Sequence, residues 1–220
     1  MTDGASKRTR EACGGNQDPC FHEALLRGYS SAMSPFKKLL NRMDDLLSPL
    51  GFLRRKATWN RRSGDLVDVI DLQVSKTGDV ITSNVGILDI ELFRELWGEA
   101  PLNFIEEPQC AVRVRVGQLM EGRDVWWPLN SAEIVPAIAS FALPFLERMR
   151  SVEEMETFLA LSRVATARHP YPPPVIYLAL LMNKRGDRAS ACLLLAQLRK
   201  STLGAWQARV SEVAKRIGCS

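Results

Sequence analysis

Residues 66–75, LVDVIDLQVS, and 80–88, VITSNVGIL, decide the fold of this chain. Both are short runs dense in Val, Ile and Leu, and Thr77-Gly78-Asp79 between them supplies turn chemistry. Apolar β-branched runs separated by such a turn read as an antiparallel pair. Working outward, LGFLRRKATWNRR (50–62) precedes the pair across Ser63-Gly64-Asp65. CAVRVRVGQLM (110–120) and DVWWPL (124–129) follow it. The series predicts a mainly antiparallel sheet of four to five strands, with the strand from Cys110 to Val116 reached after a short helix around Leu92, Phe93, Leu96 and Trp97.

Helices flank the sheet. Ser34 and Pro35 open the first, and Phe36, Leu39, Leu40, Met43, Leu46 and Leu47 fall on one stripe before Pro49 and Gly51 stop it. Asn130-x-x-Glu133 reads as a cap for a long helix carrying Ile134, Ile138, Phe141, Phe145 and Met149, with a kink expected from Pro136 and Pro144. Ser151-x-x-Glu154 opens another. Pro170 and Pro172 to Pro174 read as a stiff connector. Beyond it, Val175–Lys184, Arg188–Lys200 and Ala205–Ile217 read as helices, the first two joined at Gly186-Asp187. The expected class is therefore α+β, with helices packed on one face of the sheet and a C-terminal helical extension. The expected organisation is a disordered tail over 1–30, an α+β domain over 31–168, and a hairpin plus final helix over 175–220 docked on that domain.

Composition narrows the class without naming an activity. The 220 residues carry 29 Lys+Arg against 25 Asp+Glu, a formal charge of +4. That balance demands no nucleic-acid partner, which usually requires concentrated charge. No run reaches the length of a membrane span. The five cysteines (13, 20, 110, 192 and 219) have no repeated spacing; Cys110 and Cys192 sit in apolar patterns. They are expected to be free thiols in a cytoplasmic protein.

Several strings in order resemble the bacterial domain of unknown function 4304 family. They are Leu50-Gly51-Phe52, Arg55-Lys56, Trp59, Leu72-Gln73 with Ser75, and Asn84-Val85-Gly86. Arg115-Val116-Gly117 with Leu119, the Trp127 region and Ala142-Leu143-Pro144-Phe145-Leu146 complete the series. The resemblance spans about Phe36 to Met155, extending to about residue 200 if the following hairpin is included. Asp71 stands where the family string has Asn. The resemblance implies a fold and no activity.

Candidate binding residues come from strand periodicity. Alternation places Leu66, Ile70, Leu72 and Val74 on one face, with Asp71 and Gln73 on the other. Continued through the strands, it gathers Arg54, Lys56, Asp71, Gln73, Thr82, Asn84, Arg113 and Arg115 on one polar face. Such a face suits an unknown protein partner or an anionic ligand, with Arg113 and Arg115 binding and Gln73 and Asn84 orienting. The ordinary alternative is a solvated face with cross-strand charge pairs such as Asp71 with Arg115. A second, less favoured reading takes Arg54, Arg55, Lys56, Arg61, Arg113 and Arg115 as a nucleic-acid contact with a base on Trp59, although core packing of Trp59 is preferred. An enzyme is the least favoured. Only His22 and His169 are present, and no phosphate loop, dinucleotide fingerprint or nucleophile elbow occurs. No catalytic residue, metal ligand or cofactor is assigned.

Overall fold

The computed structural model describes residues 33–165 and 171–219. The expectation of a disordered tail, and the sites of Cys13, Cys20, His22, His169 and Pro170, lie outside them. The chain is α+β, built on an all-antiparallel sheet of six strands. Strands β1 (Leu53–Arg55), β2 (Thr58–Ser63), β3 (Leu66–Val74), β4 (Val80–Asp89) and β5 (Val112–Arg115) lie side by side in chain order. The two-residue β6 (Trp127–Pro128) pairs with the start of β4. Gly64 and Gly78, both at positive φ, turn the β2–β3 and β3–β4 hairpins. The segment read as one strand over 53–62 is itself a hairpin. Lys56 and Ala57 form its tip, and Lys56 takes a left-handed φ of 58°.

One face of the sheet carries the main core. Helix α1 (Pro35–Leu47) buries Leu39, Met43 and Leu47 in the same apolar cluster as Trp59, Ile70, Leu72, Ile81 and Val85. Trp59 is fully buried and its indole donates to Asp44 of α1 at 2.8 Å, so it packs rather than stacks on a base. The long helix expected after Asn130 runs as α4 (Ile134–Ala137), a π-helical turn (Ile138–Ala142) and α5 (Leu143–Arg148). Pro144 lacks an N–H and its ring crowds the carbonyl of residue 140, which lies inside the π turn, so the widened turn is where the ladder accommodates it. Asp68 is buried on this face. It accepts from Arg61 at 2.8 Å and from Arg150, tying the sheet to the end of α5.

The second face is covered as well, at one end. There Val67, Val69 and Leu88 meet Ile90 and Phe93 of α2 (Ile90–Trp97), with Ile105 and Cys110 of the following segment. Helices on one face alone would leave these valines wet. Gly86 makes this cover fit, because a Cβ there would lie 2.6 Å from Cys110 Sγ. Gly117, in α3 (Val116–Glu121), admits the backbone of Val125 in the same way.

After α6 (Val152–Ala165), Pro172–Pro174 are not a connector: they form the first turn of α7 (Pro172–Lys184), where missing N–H groups cost nothing. Helices α8 (Arg188–Ser201) and α9 (Gly204–Arg216) follow, and α7 and α9 hold α2 at its two ends. Lys184 binds Asp89, the residue capping α2, at 3.0 Å. Arg209 and Arg216 donate to the α2 carbonyls of Trp97 and Glu95 at 3.1 and 2.6 Å, satisfying groups with no partner inside the helix.

The cysteines depart from the expectation of free thiols throughout. Cys192 in α8 and Cys219 just after α9 are joined by a disulfide, their Cα atoms 5.5 Å apart, while Cys110 is free and buried. Their 27-residue separation carries no signal; the return of α9 along α8 brings the two together. Replacing both by Ser should lower unfolding stability by about 3 kcal/mol, the closure entropy of a loop this long, with urea melts in oxidising and reducing buffer as the check. The parent should fall to the variant's midpoint on reduction. Gly86→Ala should destabilise by about 1–3 kcal/mol through overpacking against Cys110, read from the same melts.

Candidate functional site

Register places the polar residues row by row. Thr58, Asp71, Asn84 and Arg115 are directly opposite one another across β2, β3, β4 and β5, and so share a face. Gln73 opposes Thr82, and Arg113 opposes Gly86 on that same face. Gln73, Asn84, Arg113 and Arg115 converge on one open hollow of about 290 Å³. Arg54 and Lys56 do not join them. Arg54 opposes Trp59 and therefore lies on the helix-covered face, where it pairs with Asp44 at 3.1 Å; Lys56 sits at the hairpin tip. The turn at Lys56-Ala57 resets the alternation, which an unbroken strand would have carried through.

The hollow is finished by residues that periodicity cannot find. Glu107, from a 3₁₀ turn over Glu107–Gln109, accepts a two-pronged bond from Arg113, at 2.7 Å from Nε and 2.9 Å from Nη2. That bonding is the main reason the Arg113 pKa is raised, against a smaller opposing effect of burial. Asp124 pairs with Arg115, whose guanidinium lies 5.3 Å from the Trp126 ring centre. The expected Asp71–Arg115 pair does not form, because β4 stands between their strands. Asp71 instead accepts from Thr58 Oγ1 at 2.8 Å and from Asn84 Nδ2 at 3.3 Å, and Asn84 Nδ2 also donates to Gln73 Oε1 at 3.2 Å. Burial pushes the Asp71 carboxyl above its ordinary range, and Glu107 and Glu106 add to the effect.

Charge in the hollow is balanced: Arg113 and Arg115 face Glu107 and Asp124. The wider basic set also disperses. Arg61 reaches Asp68 and Glu147 on the helix-covered face, and Arg54 reaches Asp44.

Arg113 borders a second space. An apolar cavity of about 460 Å³ lies among α2, the segment Pro108–Ala111, α6 and the start of α7. Cys110 lines it, and burial raises that thiol's pKa far above its usual value, so it is no nucleophile. Among the described residues no group of three or more His, Cys, Asp and Glu is placed to hold a metal, and no helix is long and apolar enough to cross a membrane.

With this geometry in hand, residues 43–148 match a family described as Domain of unknown function (DUF4304). The chain resembles that family. No curated protein and no solved structure matches the chain. The DUF4304 match holds all of the polar hollow but stops before α6, so the α6 and α7 walls of the cavity lie outside it. Both close-approach glycines, Gly86 and Gly117, fall inside it.

Asp71 offers a test by pH. Its folded pKa is raised above the ordinary value of 3.8, so its contribution to stability is full below that value and is lost as pH rises through the folded pKa. Asp71→Asn removes the charge, and the Asn84 and Gln73 amides can turn together to keep the chain of bonds. The variant should melt higher than the parent near about pH 7 and show no gain near about pH 3, measured by calorimetry across that range.

Proposed function

We propose that this protein is a binding protein and not an enzyme, and that it recognises a partner through the polar hollow on β3, β4 and β5. The observation that carries this reading is the convergence of Gln73, Asn84, Arg113 and Arg115 on one open space. Both guanidiniums are held in place by carboxylates, so the donors left over are preorganised. Those donors are the remaining N–H groups of the arginines and the Gln73 amide. What they suit is an acceptor-rich group, such as a peptide carbonyl or a single carboxylate, on a partner protein. Duplex nucleic acid requires unpaired cations along its phosphates, and the paired arginines here supply few.

The test uses the full chain as bait in its native cell. Gln73→Ala and Arg115→Ala should each weaken the captured partner by roughly tenfold or more, as loss of a charge-assisted bond would, with melting temperature unchanged. Capture unaffected by either change defeats the reading. Binding to duplex DNA with a steep salt dependence would replace it with the nucleic-acid alternative.

The cytoplasmic setting expected from the sequence belongs to this proposal. The Cys192–Cys219 bond of the structure opposes it, so the proposal requires that bond to be open in the cell. Alkylation inside intact cells, followed by mass spectrometry, should label both; a fully bonded pair places the protein in an oxidising compartment instead.

A further inference from the structure

The apolar cavity shares Arg113 with the polar hollow, is otherwise lined by different residues, and has the make-up of a ligand site. We propose that it binds an uncharged aromatic molecule of one or two rings that carries a carbonyl-type acceptor.

Its walls are aromatic and held in place by other rings. Phe93 and Trp97 line it from α2, their ring centres 6.1 Å apart. Trp206 of α9 packs edge-on against both Trp97 and Tyr171, at 5.9 and 6.3 Å, and so fixes two lining rings from behind. Rings so supported keep their shape without an occupant, and flat apolar surface of this kind favours a flat guest. The volume, about 460 Å³, lies in the range of small-molecule pockets.

The lining also carries polar side chains, among them Gln109 and Tyr171, and two others, Tyr177 and Arg113, fix what an occupant must offer. Tyr177 is 3% exposed, and its hydroxyl has no hydrogen-bond partner among the described residues. The Trp97 indole exerts an influence on it but does not meet hydrogen-bond geometry, and burial raises the hydroxyl's pKa, so it stays a donor. A buried hydroxyl left unmatched is costly and calls for a partner. The second group is Arg113. Glu107 engages Nε and Nη2, leaving the other N–H groups of the fork, and 41% of the side chain, accessible. Because Glu107 already balances the charge, an acceptor is wanted here and a second anion is not. The Cys110 thiol, protonated by burial, adds polarisable surface and no covalent chemistry.

Titration of the full chain with 2-naphthamide by calorimetry tests the proposal, alongside 2-naphthoate and dodecanoate. The amide should bind, and more tightly than either comparison ligand. Tyr177→Phe, which removes only the unmatched hydroxyl, should weaken the amide about five- to tenfold without lowering the melting temperature. Gln73→Ala and Arg115→Ala, which belong to the polar hollow, should leave amide binding unchanged, so the two sites succeed or fail separately. Absence of binding at millimolar amide, tighter binding of the naphthoate or dodecanoate, or equal affinity in Tyr177→Phe would each overturn it.

Discussion

Burial of β4 on both faces is the constraint that organises this molecule. From Ile81 to Asp89 every residue of that strand is shielded, and a strand so placed must be covered twice. On one side α1, α4 and α5 do this with an ordinary aliphatic core. On the other, the cover is improvised from α2 and the segment around Ile105 and Cys110, and it stops partway along the sheet. Where it stops, β4 still has polar side chains to satisfy: Thr82 donates to the Val125 carbonyl at 3.0 Å, and Asn84 joins the Asp71–Gln73 chain. The polar hollow is the open end of an incomplete cover.

Helix α2 transmits the constraint to the C-terminal helices. Its capping residue Asp89 ends β4, so strand and helix are joined without a loop, and Lys184 closes on the same carboxylate. At its other end the exposed carbonyls draw Arg209 and Arg216 from α9. Charges placed at both ends of one short helix thus seat α7 and α9, and seating α7 is what encloses the aromatic cavity beside Arg113. Burial of Asp68 between Arg61 and Arg150 plays the matching part on the opposite face. Such pairs are costly to break once formed, because one partner would be left buried and unpaired.

Much of this was legible in the chain. The hairpins at Gly64 and Gly78, α2 and the strand faces over 66–88 follow from period-two alternation and turn residues, and the same alternation put Gln73, Asn84, Arg113 and Arg115 together. It failed at Lys56-Ala57 because nothing there marks a turn: Lys56 adopts a left-handed backbone without being Gly or Asn. It could not see Glu107 or Asp124 either, since both come from irregular segments that have no period to read.

By itself, then, the sequence determined most element types, the faces of β3 to β5 and four residues of the polar hollow, because each depends on patterns within a few residues. Tertiary structure alone decided the rest. Whether a cation is free or paired depends on segments far apart in the chain, and Arg113 and Arg115 proved to be paired. The Cys192–Cys219 bond depends on how α9 returns along α8. The aromatic cavity depends on α2, α6 and α7 meeting at Arg113. These are facts of long-range packing, and no local spacing encodes them.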